Sequence, residues 1–159
     1  MLRALKNLFD GEPSRALPGH ERRHLHLAVA SLLHEVTRVD LVDSDAERVA
    51  VEHALASFFG LSSAHAADLL REGRERARQL TSYFAPVSVV KRDLTPPERA
   101  RLIEHLWRIA YADGRLDSHE DHYVRKIAHL LYVPNTQSML ARNRARGTPG
   151  PAGVISGGS

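Results

Sequence analysis

The chain of 159 residues is 43% hydrophobic and 26% charged, which is the balance of one ordinary globular domain with its own core. It has no cysteine, and this excludes disulfide bonds, thiolate metal sites and cysteine nucleophiles. Its 22 Lys and Arg residues against 19 Asp and Glu leave a net charge of +3, a surplus too small to indicate a nucleic-acid partner.

Residues 1–19 are predicted to form a short amphipathic helix and a linker, with Leu2, Leu5 and Phe9 as its apolar stripe. Lys6 interrupts any apolar core of a secretory signal, and no apolar run in the chain approaches the ~20 residues of a membrane span. We therefore expect a cytoplasmic protein that is not integral to a membrane. Because a stripe of one or two turns is a weak membrane anchor, we expect it to dock on a hydrophobic core and not on a membrane.

Residues 20–146 are predicted to form one all-α domain of about six to eight helices, because apolar side chains recur there at steps of three and four. The domain divides into two similar helical-hairpin halves, at 20–82 and 95–146. Two sequences of capping-box form, Ser44–Glu47 and Thr95–Glu98, indicate where helices begin.

The segments between the predicted helices carry their own signals. Gly60 is expected to end a helix in the left-handed conformation, and Ser62 or Ser63 to cap the next one. Residues 83–94 lose the helical period and predict a packed connector or a short helix. Residues 147–159 are rich in Gly, Pro and Ser, which predicts a disordered tail.

The two halves match when the first is shifted by 73 residues. Core positions then fall on core positions, and acidic residues fall on acidic residues. The clearest pairs are Val29 with Leu102, Leu33 with Leu106, Asp40 with Asp113, Glu47 with Glu120 and Val51 with Val124. Because two copies are too few for a solenoid, we interpret the pattern as a duplicated helical hairpin that closes on itself.

The repeated unit contains an acidic turn between two helices. In the second half, Asp113 closes one helix, and Asp117 and Glu120 begin the next. Asp117 and Glu120 are also explained as ordinary caps, but a carboxylate at the end of a helix meets the negative end of its dipole. Asp113 therefore requires hydrogen bonds, an arginine or a bound cation. Three carboxylates in one turn are the hard oxygen ligands that Ca²⁺ or Mg²⁺ prefers, although the spacing is not that of an EF-hand.

The turn of the first half keeps the outer acids, Asp40 and Glu47. Leu41 stands where the second turn has a glycine, and Ser44 stands in place of Asp117. These two differences make a second, symmetric cation site the weaker prediction.

The sequence ADGRLDSHE at residues 112–120, and the helix after it with VRKIAHLL at 124–131, resemble the tellurite-resistance TerB-like family. The preceding LWRIAY at 106–111 fits too. The resemblance covers residues 20 to 145, and its most specific motif is A-D-G-x-x-D-x-x-E. It is also a resemblance to the TerB-like region of DnaJ-type membrane co-chaperones.

The resemblance implies an all-helical fold of two similar halves, a place in metal or oxyanion stress response, and no enzymatic activity. The family's acidic turns are proposed to bind metal. Carried over by position, the implied metal ligands are Asp113, Asp117 and Glu120, with Asp40 and Glu47 as their first-half counterparts. The co-chaperone likeness also implies a protein partner, including peripheral contact with membrane-bound partners.

Ten histidines suggest a different metal site. The segment from His20 to His24 has the H-E-x-x-H form of a zinc hydrolase, in which two histidines one turn apart hold zinc. Arg22 and Arg23 place two positive charges between these ligands, and no third ligand follows at a recognisable spacing. A zinc hydrolase is therefore the remote alternative, and helix-surface or boundary packing is the simpler explanation of the other histidines.

Partner binding is the remaining hypothesis. Arg142, Arg144 and Arg146 make a basic C-terminal end without interleaved aromatic residues, so we expect no nucleic-acid binding. Trp107 lies beside the apolar stripe of its helix, and core packing is its simplest interpretation. A half-exposed indole there could instead anchor a partner protein or a second copy of the chain. A metal-free interaction scaffold is thus the alternative to a cation-binding module.

Overall fold

The structure is a computed structural model that contains seven α-helices and no strand among the residues it describes. The described residues are 17–38, 45–112, 114 and 116–147. The helices are α1 (Gly19–Arg38), α2 (Asp45–Phe59), α3 (Ser63–Gln79), α4 (Phe84–Asp93), α5 (Pro96–Ala110), α6 (Ser118–Leu130) and α7 (Asn135–Gly147). The predicted all-α class is confirmed.

Helix starts follow the capping residues that the sequence indicated. Ser62 caps α3 by accepting a hydrogen bond from the His65 amide, at 3.2 Å. Thr95 and Glu98 form a complete capping box at the start of α5, with the Thr95 amide donating to Glu98 Oε1 at 2.8 Å. Gly60 ends α2 with a φ of +67°, which glycine adopts without strain.

Within residues 83–94 the chain forms the short helix α4, Phe84–Asp93, with Tyr83 and Leu94 as its caps. Pro86 is compatible with the helix because it lies in the first turn, where the missing amide would have no intrahelical partner. Val87 and Val90 bury their side chains against the core. The segment is therefore held as a helix by packing, although its own sequence favours helix weakly.

Helix α1 lies at the centre of the packing, in contact with every helix from α2 to α6. Its side chains Leu25, Val29, Leu32 and Leu33 are fully buried. Helix α5 is the second hub and contacts α1, α2, α6 and α7. The acidic turn between α5 and α6 is thus built on helices that are anchored in the core.

The 73-residue shift aligns buried positions with buried positions in the structure as well as apolar residues in the sequence. The buried pairs are Val29 and Leu102, Leu33 and Leu106, Val36 and Ile109, Glu47 and Glu120, Val51 and Val124, Ala54 and Ile127, and Phe58 and Leu131. In both halves the first helix packs on the third, α1 on α3 and α5 on α7. The origin of this likeness by duplication stays a prediction.

Some predictions fall on parts of the chain outside the described residues. These are the N-terminal stripe of Leu2, Leu5 and Phe9, the C-terminal segment 148–159, and the turn positions at 40, 41, 44 and 113. Within the described ranges, no helix combines the length and the apolar character of a membrane span.

Candidate functional site

Asp117 is the N-cap of α6. Its Oδ1 accepts a hydrogen bond from the His119 amide at 2.6 Å, and the residue is exposed. This satisfies one of the unpaired amides of the first turn and places a negative charge at the positive end of the helix dipole. The capping explanation given for Asp117 is therefore correct, and one oxygen of its carboxylate is engaged in it.

Glu120 occupies the third position of α6 and is buried, with 2% of its surface exposed. The equivalent residue of α5, Glu98, is only partly buried and closes a capping box. A buried carboxylate requires hydrogen-bond donors or positive charge around it, because its desolvation is costly. Two acids that look alike in the sequence, Asp117 and Glu120, thus lie in different environments one turn apart.

An arginine network borders this turn. Asp121 Oδ2 accepts from Arg125 Nε at 2.8 Å, and Asp121 Oδ1 lies 3.7 Å from Arg142 Nη1. Arg142 Nε also donates to Tyr111 Oη at 3.2 Å, and this hydrogen bond raises the pKa of Arg142. The network joins the end of α5, the start of α6 and the middle of α7.

Sequence reasoning missed this network. The spacing of Asp121 and Arg125, one helical turn apart, is a signal that could have found half of it. Arg142 was grouped with a basic C-terminal end, but it reaches back to the acidic turn. Arg144 likewise forms an ion pair with Glu104 of α5. Two of the three arginines of that end therefore serve contacts between helices.

Glu47, the first-half counterpart of Glu120, is also buried, at 4% exposed, and also in the first turn of its helix. It lines a small cavity of about 10 Å³ together with His34, Thr37 and Arg74. An arginine in the same cavity offers a buried carboxylate electrostatic compensation. The surroundings of Glu47 therefore favour a role in packing α2 against α1 and α3.

The remaining predicted ligands, Asp40 and Asp113, lie outside the described residues. Within the described ranges, no group of three or more Asp, Glu or His side chains is arranged to hold a metal ion. The structure brings Asp117 and Glu120 onto one turn of α6, and it places Glu47 on α2 in the other half of the chain.

Trp107 lies in the core, as its simplest interpretation predicts, and it is not the half-exposed anchor that the partner-binding hypothesis requires. Its side chain is fully buried between α5 and α7, and its Nε1 donates to Ser138 Oγ at 3.3 Å. The Arg142 guanidinium lies over the ring, 5.8 Å from its centroid. Because α7 covers it, Trp107 belongs to the core and offers no side-chain surface to a partner.

The histidines are spread over several helices. His20 is exposed and His24 half-buried at the start of α1. His105, 6% exposed, meets Phe58 edge-on at 5.8 Å, and His26 lies 4.0 Å from Phe59. Burial, and to a smaller extent the charge of nearby arginines, lowers the pKa of His26 and of His105 to about 4.

The amino-acid sequence and the fold were compared with known proteins to place the chain in a family. No curated protein and no solved structure matches it. The model of the family described as tellurite resistance protein TerB matches residues 26–143, which include helices α2 to α6 and the acidic turn. The chain therefore belongs to the TerB family.

Proposed function

We propose that this protein is a non-enzymatic binding module of the cytoplasm whose second acidic turn binds a divalent cation, Ca²⁺ or Mg²⁺. The ligands would come from Asp113, Asp117 and Glu120, and occupancy of the site would control the binding of a protein partner in metal or oxyanion stress. The first turn, with Asp40 and Glu47, is the weaker site of the two.

The burial of Glu120 carries this proposal. The residue lies within one turn of Asp117 and follows Asp113 by seven positions, so its carboxylate is buried in a segment that already holds two like charges. A divalent cation stabilises such a group because it neutralises several carboxylates at once, and carboxylate oxygens are the ligands that Ca²⁺ and Mg²⁺ prefer. When bound, the cation would supply charge neutralisation and no chemical step.

Calorimetric titration of Ca²⁺, Mg²⁺, Mn²⁺ and Zn²⁺ into the full-length chain tests the proposal. We expect binding, and at about one hundred times Kd a gain in unfolding free energy of ~2.7 kcal/mol, because the cation binds only the folded state. Glu120→Gln, which keeps the shape of the side chain and removes its charge, should abolish both effects.

Asp117→Ser separates the ligand role from the capping role. Serine caps a helix about as well as aspartate, so stability without metal should stay close to that of the wild type while cation affinity falls. Asp45→Ser, at the exposed start of α2, is the matched control and should leave cation affinity unchanged. Absence of heat and of thermal stabilisation at millimolar metal would rule out the cation site.

The alternative is a metal-free interaction scaffold that acts as a dimer or as a co-chaperone-like adaptor. The observation in its favour is that Val49, Phe84, Tyr132 and Leu140 are large apolar or aromatic side chains exposed on the surface. Trp107 can no longer serve as its anchor. This alternative predicts that partner binding is the same with cation and with a chelator.

The zinc hydrolase remains the remote alternative. The described residues bring no third metal-binding side chain to His20 and His24. Arg23, between the two histidines, forms an ion pair with Glu72 of α3. Stoichiometric zinc in untagged protein, measured by elemental analysis, would be needed to support it.

A further inference from the structure

One surface of the molecule combines cations with aromatic rings where side chains of α4 and its N-cap meet side chains of α6 and its end. The α4–α6 surface consists of Tyr83, Phe84 and Lys91 from α4 and its N-cap, and of Lys126 and Tyr132 from α6 and its end. Lys126 Nζ lies 5.4 Å from the centroid of the Tyr83 ring. Lys91 Nζ lies 4.5 Å from the centroid of the Tyr132 ring and 3.4 Å from its hydroxyl.

The two lysines of this surface are unusual in a chain that otherwise uses arginine. The sequence contains three lysines, Lys6, Lys91 and Lys126, against 19 arginines. Both described lysines lie against tyrosine rings, and neither forms an ion pair with a carboxylate of the described residues. Their ammonium groups are exposed, so the positive charge of this surface is not neutralised within the described fold.

Tyr132 has a backbone conformation that the end of α6 requires but that a residue with a bulky side chain does not favour. It follows the end of α6 and has a φ of +57°. Among the described residues it is the one non-glycine with a positive φ, and the other residues with positive φ are Gly60 and Gly114. The Val133 amide donates to the Ala128 carbonyl at 2.9 Å, the helix-ending pattern that usually takes glycine. Helix α2 ends in the corresponding way with Gly60, whose neighbour Leu61 donates to the Ala56 carbonyl at 3.0 Å.

Core packing of the Tyr132 side chain does not offset this backbone strain, because 72% of the residue's surface is exposed. Phe84, at the other end of the surface, is 74% exposed. Strained backbone and exposed aromatic rings are typical of binding surfaces, where the ring serves a partner. The arrangement therefore places two cations between two exposed aromatic anchors.

We propose that the α4–α6 surface binds an acidic segment of a partner protein, with carboxylates at Lys91 and Lys126 and apolar side chains on Phe84 and Tyr132. Tyr132 follows Lys126 by six positions, which corresponds to roughly 9 Å at 1.5 Å per residue, and α4 is about 15 Å long. Lys91 contacts Tyr132 and Lys126 contacts Tyr83, so the two cations lie at different points along α4 and fit a linear segment with two acidic positions. The surface does not use the acidic turn, so this inference stands or falls separately from the cation site.

The test is fluorescence anisotropy of the full-length chain with a labelled amphipathic peptide that carries glutamates on one side and leucines on the other. We expect saturable binding that weakens as salt is raised, because part of the attraction is between exposed charges. The same peptide with glutamine in place of every glutamate should not bind. No binding of the glutamate peptide would overturn the proposal.

Tyr132→Gly is the decisive variant because glycine adopts positive φ without strain. Its melting temperature should equal or exceed that of the wild type, while peptide affinity falls about tenfold or more. The double variant Lys91→Gln with Lys126→Gln should lose binding to a similar extent. A structural role alone would lower stability in Tyr132→Gly and leave the affinity of the folded protein unchanged.

Two controls carry the same kinds of change elsewhere. Leu140→Ser removes an exposed apolar side chain from α7, and Arg71→Gln removes an exposed cation from α3. Both should bind the glutamate peptide as the wild type does, and equal losses in all variants would contradict the proposal. Binding to phosphatidylglycerol vesicles or to a single-stranded oligonucleotide, without binding to the peptide, would assign the surface to a different partner and overturn it.

Discussion

At Gly73 the contact between α3 and α1 leaves no room for a side chain. A Cβ atom built on Gly73 would lie 2.6 Å from the Cβ of Ala30, closer than packed carbons approach. Overpacking of this kind costs about 1–3 kcal/mol, against a gain of ~1 kcal/mol for alanine over glycine within a helix. We therefore expect Gly73→Ala to destabilise the protein in urea unfolding, despite its better helix propensity.

The partner residue supplies the control. Ala30→Gly removes the methyl group that a new Cβ on Gly73 would meet, so the double variant Ala30→Gly with Gly73→Ala should be more stable than the sum of the two single changes predicts. If the change in unfolding free energy of the double variant equals the sum of the two single changes, the helices separate at little cost. A Gly73→Ala variant more stable than the wild type would show the same.

Residues that act within their own helix were predictable, and residues whose role depends on a distant helix were not. The caps Ser62 and Thr95 each act on the amide three positions away, so their sequence context contains the whole interaction. For Trp107, core packing is the simplest prediction from the sequence, but a partly apolar neighbourhood does not reveal that α7, some thirty residues further along the chain, is the helix that covers it.

Between α5 and α7, the buried hydrogen bond from Trp107 to Ser138 is expected to stabilise the pair of helices. Both side chains are 2% exposed or less, so Ser138→Ala would leave the indole N–H buried without its acceptor. An unsatisfied buried donor costs about 1–3 kcal/mol. Trp107 is the one tryptophan of the chain, so its fluorescence reports this interface directly during urea unfolding.

The matched variant for this prediction is Ser88→Ala on the exposed face of α4, which should change the unfolding free energy by no more than about 0.5 kcal/mol. If Ser138→Ala unfolds at the same urea concentration as the wild type and with the same tryptophan emission, the hydrogen bond contributes nothing to docking of α7.

At the scale of elements, sequence patterns located the helices better than they located contacts between them. The short helix α4 was left open because Val87, Val89 and Val90 weaken the helical pattern, and only burial against α1 decides the outcome. The acidic turn was found from spacing, but spacing could not separate Asp117, an exposed cap, from Glu120, a buried carboxylate. That difference depends on how the helix sits in the tertiary fold.

For the molecule as a whole, a half-buried histidine, His26, and a buried one, His105, are expected to make stability depend on pH. His26 of α1 and His105 of α5 each lie against an aromatic ring of α2, and burial lowers the pKa of both to about 4. The unfolded chain, with histidine pKa values near 6.5, binds more protons than the folded chain between these limits. Stability should therefore be fully present above pH 6.5 and should fall as the pH drops towards 4.

His105 alone should lower the unfolding free energy in acid by about 3 kcal/mol, because its ring is almost fully buried and a shift of one pKa unit corresponds to about 1.36 kcal/mol. His105→Phe keeps a ring of similar size against Phe58 and removes the titrating group, so its unfolding free energy should vary less between pH 6.5 and 4 than that of the wild type. Replacement of the exposed His65 of α3 by glutamine is the matched control and should leave the profile unchanged. If the unfolding free energies of the wild type and of His105→Phe change with pH in the same way, protonation of His105 is not what destabilises the folded state in acid. The loss of stability would then come from carboxylates.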